Sequence, residues 1–156
     1  MEEQISNQQA FSEKVVWITG ASGGIGEEMA VAFAEIGSKV VLSARNRQQL
    51  ERVRDRCFDA GASHESVLVL PLDVVDLDAM PAAVDSVMES YSRIDLLINN
   101  AGVGVRDFCT DVKIDLYRTA LEVNLIGPIA LTKQVLPIMI KQKSGHIAGT
   151  SSVAGK

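Results

Sequence analysis

The stretch Val15–Gly26, VVWITGASGGIG, limits what this chain can fold into more than any other. Its first part is a continuous β-branched and aromatic run, as expected of a strand buried on both faces of a parallel sheet. A glycine-rich octet, Thr19–Gly26, follows directly. Beyond it Ile25, Met29, Ala32, Phe33 and Ile36 recur at helical spacing, and Gly37 is a natural stop. Strand, glycine turn and helix in that order predict a βα unit whose turn lies at the carboxyl end of a strand.

The same alternation continues. Lys39–Ala44 and Ser66–Val74 read as the second and third strands, with an Arg-rich amphipathic helix between them carrying Leu50, Val53 and Cys57 on its apolar side. Asp76–Tyr91 reads as the third helix, capped by Asp76 or Asp78, with Pro81 in its first turn. Ile94–Gly102 is a fourth strand with its loop. Residues 112–142 predict one or two helices kinked near Pro137, and Gly145–Ser152 contains the fifth strand. Successive βα units joined by right-handed crossovers build a parallel sheet covered on both faces, an α/β doubly wound Rossmann fold. Residues 1–13 read as a flexible tail, and 14–156 as part of a single dinucleotide-binding domain.

At the first strand-to-helix junction the octet predicts a phosphate cradle. Gly20 takes the tight turn, Gly24 lets the backbone approach a pyrophosphate, and Gly26 lets helix and strand pack closely. The helix start then presents unpaired N–H groups and a positive dipole end. A tight turn without a ligand is the alternative. The second strand ends Ser43-Ala44-Arg45, without the acid that commonly holds the ribose hydroxyls of NAD. A guanidinium can pair with a 2′-phosphate, so Arg45 favours NADP(H) over NAD(H); a solvated Arg at a helix start is the competing reading.

Composition removes several classes. The net charge of −5 argues against nucleic-acid binding, which needs clustered Lys and Arg. Cys57 and Cys109 lack metal-ligand spacing and read as packed thiols in a reducing compartment, and no metal site is expected. The polar start resembles neither a signal peptide nor an anchor, and no apolar run of about 18 residues stands out. A soluble, cytoplasmic chain is the expectation.

TGASGGIG, the LDV of 72–74, the NNAG of 99–102, Asn124 in LEVNLIG and the SS of GTSSVAG together resemble the short-chain dehydrogenase/reductase family in order and spacing. VVLSARNRQQLERVRDRC, VLVLPLDV and VLPIMI are similar to its steroid- and retinoid-type microsomal branch, whose members often carry an N-terminal anchor. The resemblance implies hydride transfer between a nicotinamide and a carbonyl or alcohol substrate, and usually a homo-oligomer. It implies that Thr19–Gly26, with Ser22 and Ile25, cradle the pyrophosphate. Asp73 would bond the adenine amino group, with Val74 beside the ring. Asn99, Ala101 and Gly102 would form the loop on the adenosine side. Asn124 would anchor a proton-relaying water, and Ser152 would hold the substrate oxygen. Local roles compete at each: turn shaping for Asn99 and Asn100, a satisfied carbonyl for Asn124, and a strand end for Ser151 and Ser152.

The family's proton donor is the tyrosine of a Tyr-x-x-x-Lys motif beyond the serine. Tyr91 and Tyr117 are followed at that spacing by Asp95 and Leu121, and the sequence ends at Lys156. The expectation is therefore a fragment, splice form or incomplete gene product, inactive alone. Its fifth strand would be a bare sheet edge. Leu121, Leu125, Ile129, Val135, Leu136 and Ile140 would form an exposed apolar patch that makes assembly doubtful.

Overall fold

The computed structural model describes residues 10–105, 108 and 110–152, so the expectation for Cys109 lies outside the described residues. Five parallel strands, β1 (Val15–Thr19), β2 (Lys39–Ser43), β3 (Val67–Val69), β4 (Leu96–Asn99) and β5 (His146–Gly149), lie in the order β3-β2-β1-β4-β5. The order reverses between β1 and β4, the switch point at which doubly wound sheets bind their ligands. The helices are α1 (Gly24–Glu35), α2 (Arg47–Asp59), α3 (Met80–Tyr91), α4 (Ile114–Leu121) and α5 (Gly127–Gln142).

Side-chain alternation along β1 creates two cores. Val15 and Trp17 join Val41, Leu97, Val87, Leu131 and Val135 beneath α3 and α5. Val16 and Ile18 face the other way, with Val40, Leu42, Leu50, Val53 and Cys57 beneath α1 and α2. The central strand thus touches both layers, and all five of its residues are buried. Trp17 keeps its one polar atom satisfied by donating from Nε1 to Ser43 Oγ at 2.8 Å.

Several expectations are corrected. The apolar periodicity of α1 gives only part of its inward face: Met29 and Phe33 pack half-buried against the core, while the fully buried residues are Gly26, Glu27, Ala30 and Ala34. Small residues let this helix lie close to the sheet, while Ile25 is 65% exposed. The third strand is shorter than Ser66–Val74, although Leu70 N–H and Leu72 N–H still donate to Leu42 and Ala44 carbonyls at 2.9 and 3.1 Å. Pro71, between them, has no N–H to offer. Residues 10–13 pack rather than trail: the Phe11 ring meets Phe33 edge-on at 5.5 Å, and Ser38 Oγ donates to the Phe11 carbonyl.

Asp76 caps the entry to α3, its carboxylate accepting from Ala79 N–H at 3.2 Å. Segment 112–142 forms α4 and α5 joined by a π turn, Glu122–Ile126, with Pro137 accommodated inside α5. The continuous helical stretch Ile114–Gln142 has a window of mean hydropathy 1.5 and is long and apolar enough, by composition, to cross a membrane, a property not expected from the sequence. Its Leu131, Val135 and Met139 are inserted in the core. Val135 therefore does not belong to the exposed patch, because it lies on the sheet-facing side of α5. Leu121, Leu125, Ile129, Leu136 and Ile140 are exposed as expected.

Candidate nucleotide-binding site

The carboxyl ends of β1, β2 and β4 open onto a cleft of about 580 Å³ lined by Gly20, Ser22, Ile25, Arg45, Asp73 and Ala101, among others. Gly20 has φ +67°, and a Cβ there would lie 2.8 Å from Ala101 Cα. Both facts demand glycine, one for the turn and one for the close approach of the neighbouring loop. At Gly26 a Cβ would strike the Gly20 carbonyl, so this residue brings α1 onto the turn. Around Gly24 the space is open, leaving backbone accessible at the helix start.

A hydrogen-bonded lattice fixes the turn to β4. Thr19 is buried, and its Oγ1 accepts from Asn100 N–H and Ala101 N–H, each at 3.0 Å. Thr19 therefore supports the cradle from behind and does not line it. Asn100 Nδ2 donates to the carbonyls of Thr19 and Gly20 at 3.1 and 3.3 Å, while its Oδ1 accepts from Thr150 Oγ1 at 2.9 Å. Asn100 and Thr150 tie three strand ends together. The sequence reading assigned Asn100 only to a turn, although its place in NNAG was the available signal.

Arg45 is exposed on the cleft wall, with no ion-pair partner among the described residues. Its neighbour Asn46 caps α2, accepting from Gln49 N–H at 3.1 Å. Asp73 lies across the cleft and uses Oδ1 to accept from Val75 N–H at 3.2 Å; Val74 beside it is buried. Asn99 is placed differently from expectation. Its Nδ2 donates to Thr132 Oγ1 of α5 at 3.2 Å, and it lines a second cleft rather than the adenosine side. Alternation along β4 explains this, since neighbouring Asn99 and Asn100 point to opposite faces.

That second cleft, about 620 Å³, shares Asn100–Val103 and Thr150 with the first and adds Asn124, Ile147, Ser151 and Ser152. Asn124 sits in the π turn, a feature frequent at functional sites. Its Oδ1 accepts from Val103 N–H and its Nδ2 donates to the Val103 carbonyl, both at 2.9 Å. The local reading of a satisfied carbonyl thus holds for its side chain, which clamps the loop between the two clefts.

Beside the glycine turn, Glu27 of α1 is buried and receives Arg52 in a fork, Nη1 to Oε1 at 2.7 Å and Nη2 to Oε2 at 2.6 Å. Arg56 reaches both Glu27 and Glu28. The bonds from Arg52, reinforced by Arg56 against the cost of burial, hold the Glu27 carboxyl down to about 2. Arg52 and Arg56 lie in the Arg-rich helix read from sequence as a solvated face, so that face is partly an intramolecular pairing surface. Tyr91, pushed up to about 12 by burial, donates to the Glu65 carbonyl and is remote from both clefts.

Comparison with known proteins agrees with this geometry. The family model for short chain dehydrogenases matches residues 14–156. The chain is 46% identical to human dehydrogenase/reductase SDR family member 7 over 146 residues, covering 93% of this chain and 43% of that protein. A similar protein from Anopheles gambiae, dehydrogenase/reductase SDR family protein 7-like, is 43% identical, with 100% and 50% covered. The chain thus spans about half the length of these curated relatives. Among solved structures, a short-chain dehydrogenase/reductase from Caenorhabditis elegans with cofactor superimposes with a TM-score of 0.86 at 35% identity, covering 94% and 55% of the two chains. A metagenomic short-chain oxidoreductase in complex with NADP gives 0.85 at 35% identity, over 94% and 66%. One from Burkholderia phymatum in complex with NAD gives 0.86 at 34% identity, over 93% and 51%. Ordered motifs, sheet topology and cleft place this chain in the short-chain dehydrogenase/reductase family.

Proposed function

We propose that residues 14–152 form the NADP(H)-binding half of an oxidoreductase that interconverts a carbonyl and an alcohol. Solved relatives are found with NADP in one case and NAD in another, so the choice of cofactor rests on this chain's own residues. Arg45 carries it: a guanidinium on the cleft wall with no ion-pair partner among the described residues, at a strand end without a carboxylate. A 2′-phosphate there gains a charge-assisted pair, where an acid would repel it. Gly20, Ser22, Gly24, Ile25 and Gly26 receive the diphosphate at the start of α1, and Asp73, Val74, Ala101 and Gly102 bound the adenosine end. The positive φ of Gly20 and the open space at Gly24 support the fit.

The bound nicotinamide supplies the hydride. The chain's residues orient it and hold the substrate: Ser152, in the second cleft with Asn124, accepts or donates a hydrogen bond to the substrate oxygen, and Asn124 anchors the water that relays protons. A positioned general acid contributes ~10²–10⁴ in rate. The sequence contains no Tyr-x-x-x-Lys pair, and Tyr91 is remote, so a polypeptide of residues 1–156 alone binds cofactor without turnover. The burial of Leu131, Val135 and Met139 supports reading Ile114–Gln142 as a core helix rather than a membrane span. The second reading is a non-catalytic partner-binding or unstable product, favoured by the exposure of Leu121, Leu125, Ile129, Leu136 and Ile140.

Thermal unfolding with each cofactor tests the proposal. At 100 times the dissociation constant NADPH stabilises by ~2.7 kcal/mol. NADPH should raise Tm more than NADH, and Arg45→Glu should reverse that order. Equal shifts from both cofactors defeat the NADP assignment. No shift from either defeats the site.

A further inference from the structure

A buried carboxylate beside a phosphate cradle poses an electrostatic problem. Glu27 lies in the first turn of α1, the end of the helix that the diphosphate needs. Its carboxylate suits the helix dipole but repels any phosphate placed at that helix end. The chain answers from α2. Arg52 forks onto both Glu27 oxygens and also donates from Nη2 to the Ser22 carbonyl at 3.3 Å. Arg56 spans Glu27 and Glu28, so two guanidiniums cancel two carboxylates at the seam of α1 and α2.

We infer that Arg52 is a positioning residue for the diphosphate: it cancels Glu27's charge beneath the glycine turn and fixes the turn by its Ser22 carbonyl. The inference rests on the reading of this turn as a nicotinamide dinucleotide site. The Ser22 carbonyl, held by Arg52, is directed toward α2, and Ser22 itself lines the cleft. Arg45 immediately precedes Asn46, the cap of that same helix, so the entry to α2 supplies the residue proposed for the 2′-phosphate and α2 itself the residue that prepares the diphosphate cradle. Glu27 stays ionised at every pH near neutrality, so its compensation is permanent.

A charge-cancelling role predicts opposite signs for the two partners. Removing Arg52 leaves Glu27 only partly compensated, by Arg56, beside the diphosphate site, and removing the anion leaves Arg52 and Arg56 in excess there. A brace that serves only folding predicts a loss for both. The test measures dissociation constants of NADPH and of 2′-AMP, which lacks the diphosphate, for the 156-residue chain and its variants. Arg52→Gln is expected to weaken NADPH about tenfold, an effect typical of an uncompensated charge, while Glu27→Gln tightens it a few-fold. The double variant should return most of the loss, 2′-AMP affinity should stay within about twofold throughout, and 1 M salt, where the screening length is ~3 Å, should compress the differences.

Weaker NADPH binding by Glu27→Gln overturns the inference, even if Arg52→Gln fails to fold. So does a parallel loss of NADPH and 2′-AMP in Arg52→Gln, or a double variant no better than that single. A parent chain that binds NADPH while Arg52→Gln binds it equally well sinks this inference alone. A parent chain that binds neither probe sinks the nucleotide reading and this inference with it.

Discussion

Strands β1 and β5 belong to one parallel sheet and both are in register with β4, yet all five residues of β1 are buried and all four of β5 are exposed. Backbone pairing extends one strand further than side-chain burial does. The difference teaches where the fold is consolidated. β1 lies between two helical layers, and its turn is locked by Thr19 and Asn100, whereas β5 is held by its ladder to β4 with little apolar packing behind it. The cleft at the glycine turn draws most of its walls from the consolidated side. The second cleft, with Ser151 and Ser152, draws on the exposed one.

Leu97 and Ile147 make the sharpest test of that contrast because they are register partners on adjacent strands. Leu97 is fully buried and Ile147 is 39% exposed. Leu97→Ala should cost about 2–5 kcal/mol, the usual price of a large-to-small change in a core that cannot collapse. Ile147→Ala should cost well under that, about 0.5 kcal/mol or less. Chemical denaturation of the two variants reads the difference directly. Equal losses would mean that β5 is as well packed as β4, and the contrast would break.

The seam between α1 and α2 yields a smaller effect with a defined pH window. Glu27 has its carboxyl lowered from 4.5 to about 2 in the folded chain, so its pairing contributes stability that is fully present above the ordinary value. That contribution is lost as pH falls from about 4.5 through about 2. Denaturation midpoints should drop across this window in the parent chain, and Glu27→Gln should flatten that part of the profile. A parent profile no steeper than the variant's would show that the pair is not strengthened by folding.

The legibility of the molecule divides along the same line. The parallel sheet and the glycine turn could be read from the chain because each depends on local backbone chemistry or on motif order, and the structure brings Gly20, Ser22, Ile25, Arg45, Asp73 and Ala101 to one cleft. What escaped depends on contacts between segments distant in sequence. Glu27 and Arg52 are separated by a whole strand, and nothing in either segment marks them as partners. Asn100 differs from Asn99 only in the face to which the strand turns it. The apolar spacing of α1 marks Met29 and Phe33, which pack half-buried against the core, but not Gly26, Ala30 and Ala34, whose small size brings the helix close to the sheet. In α5, periodicity identified an apolar helix without distinguishing Val135, which faces the sheet, from Leu136, which does not.

That last pair sets the smallest expected effect. Ile140 is 67% exposed and shares the outward side of α5 with Leu136 at 42%, while Val135, one residue from Leu136, is fully buried. Val135→Ala removes buried methyl groups and should destabilise by about 1 kcal/mol or more. Ile140→Ser removes apolar surface already in contact with water, so stability should stay within about 0.5 kcal/mol. Its visible consequence should be on solubility, because an exposed apolar stripe drives association whatever its occupant. Light scattering against concentration, with denaturation midpoints measured alongside, separates the two outcomes. A large stability loss from Ile140→Ser would mean that this side of α5 is covered in solution, and the exposed half of the molecule would have to be redrawn.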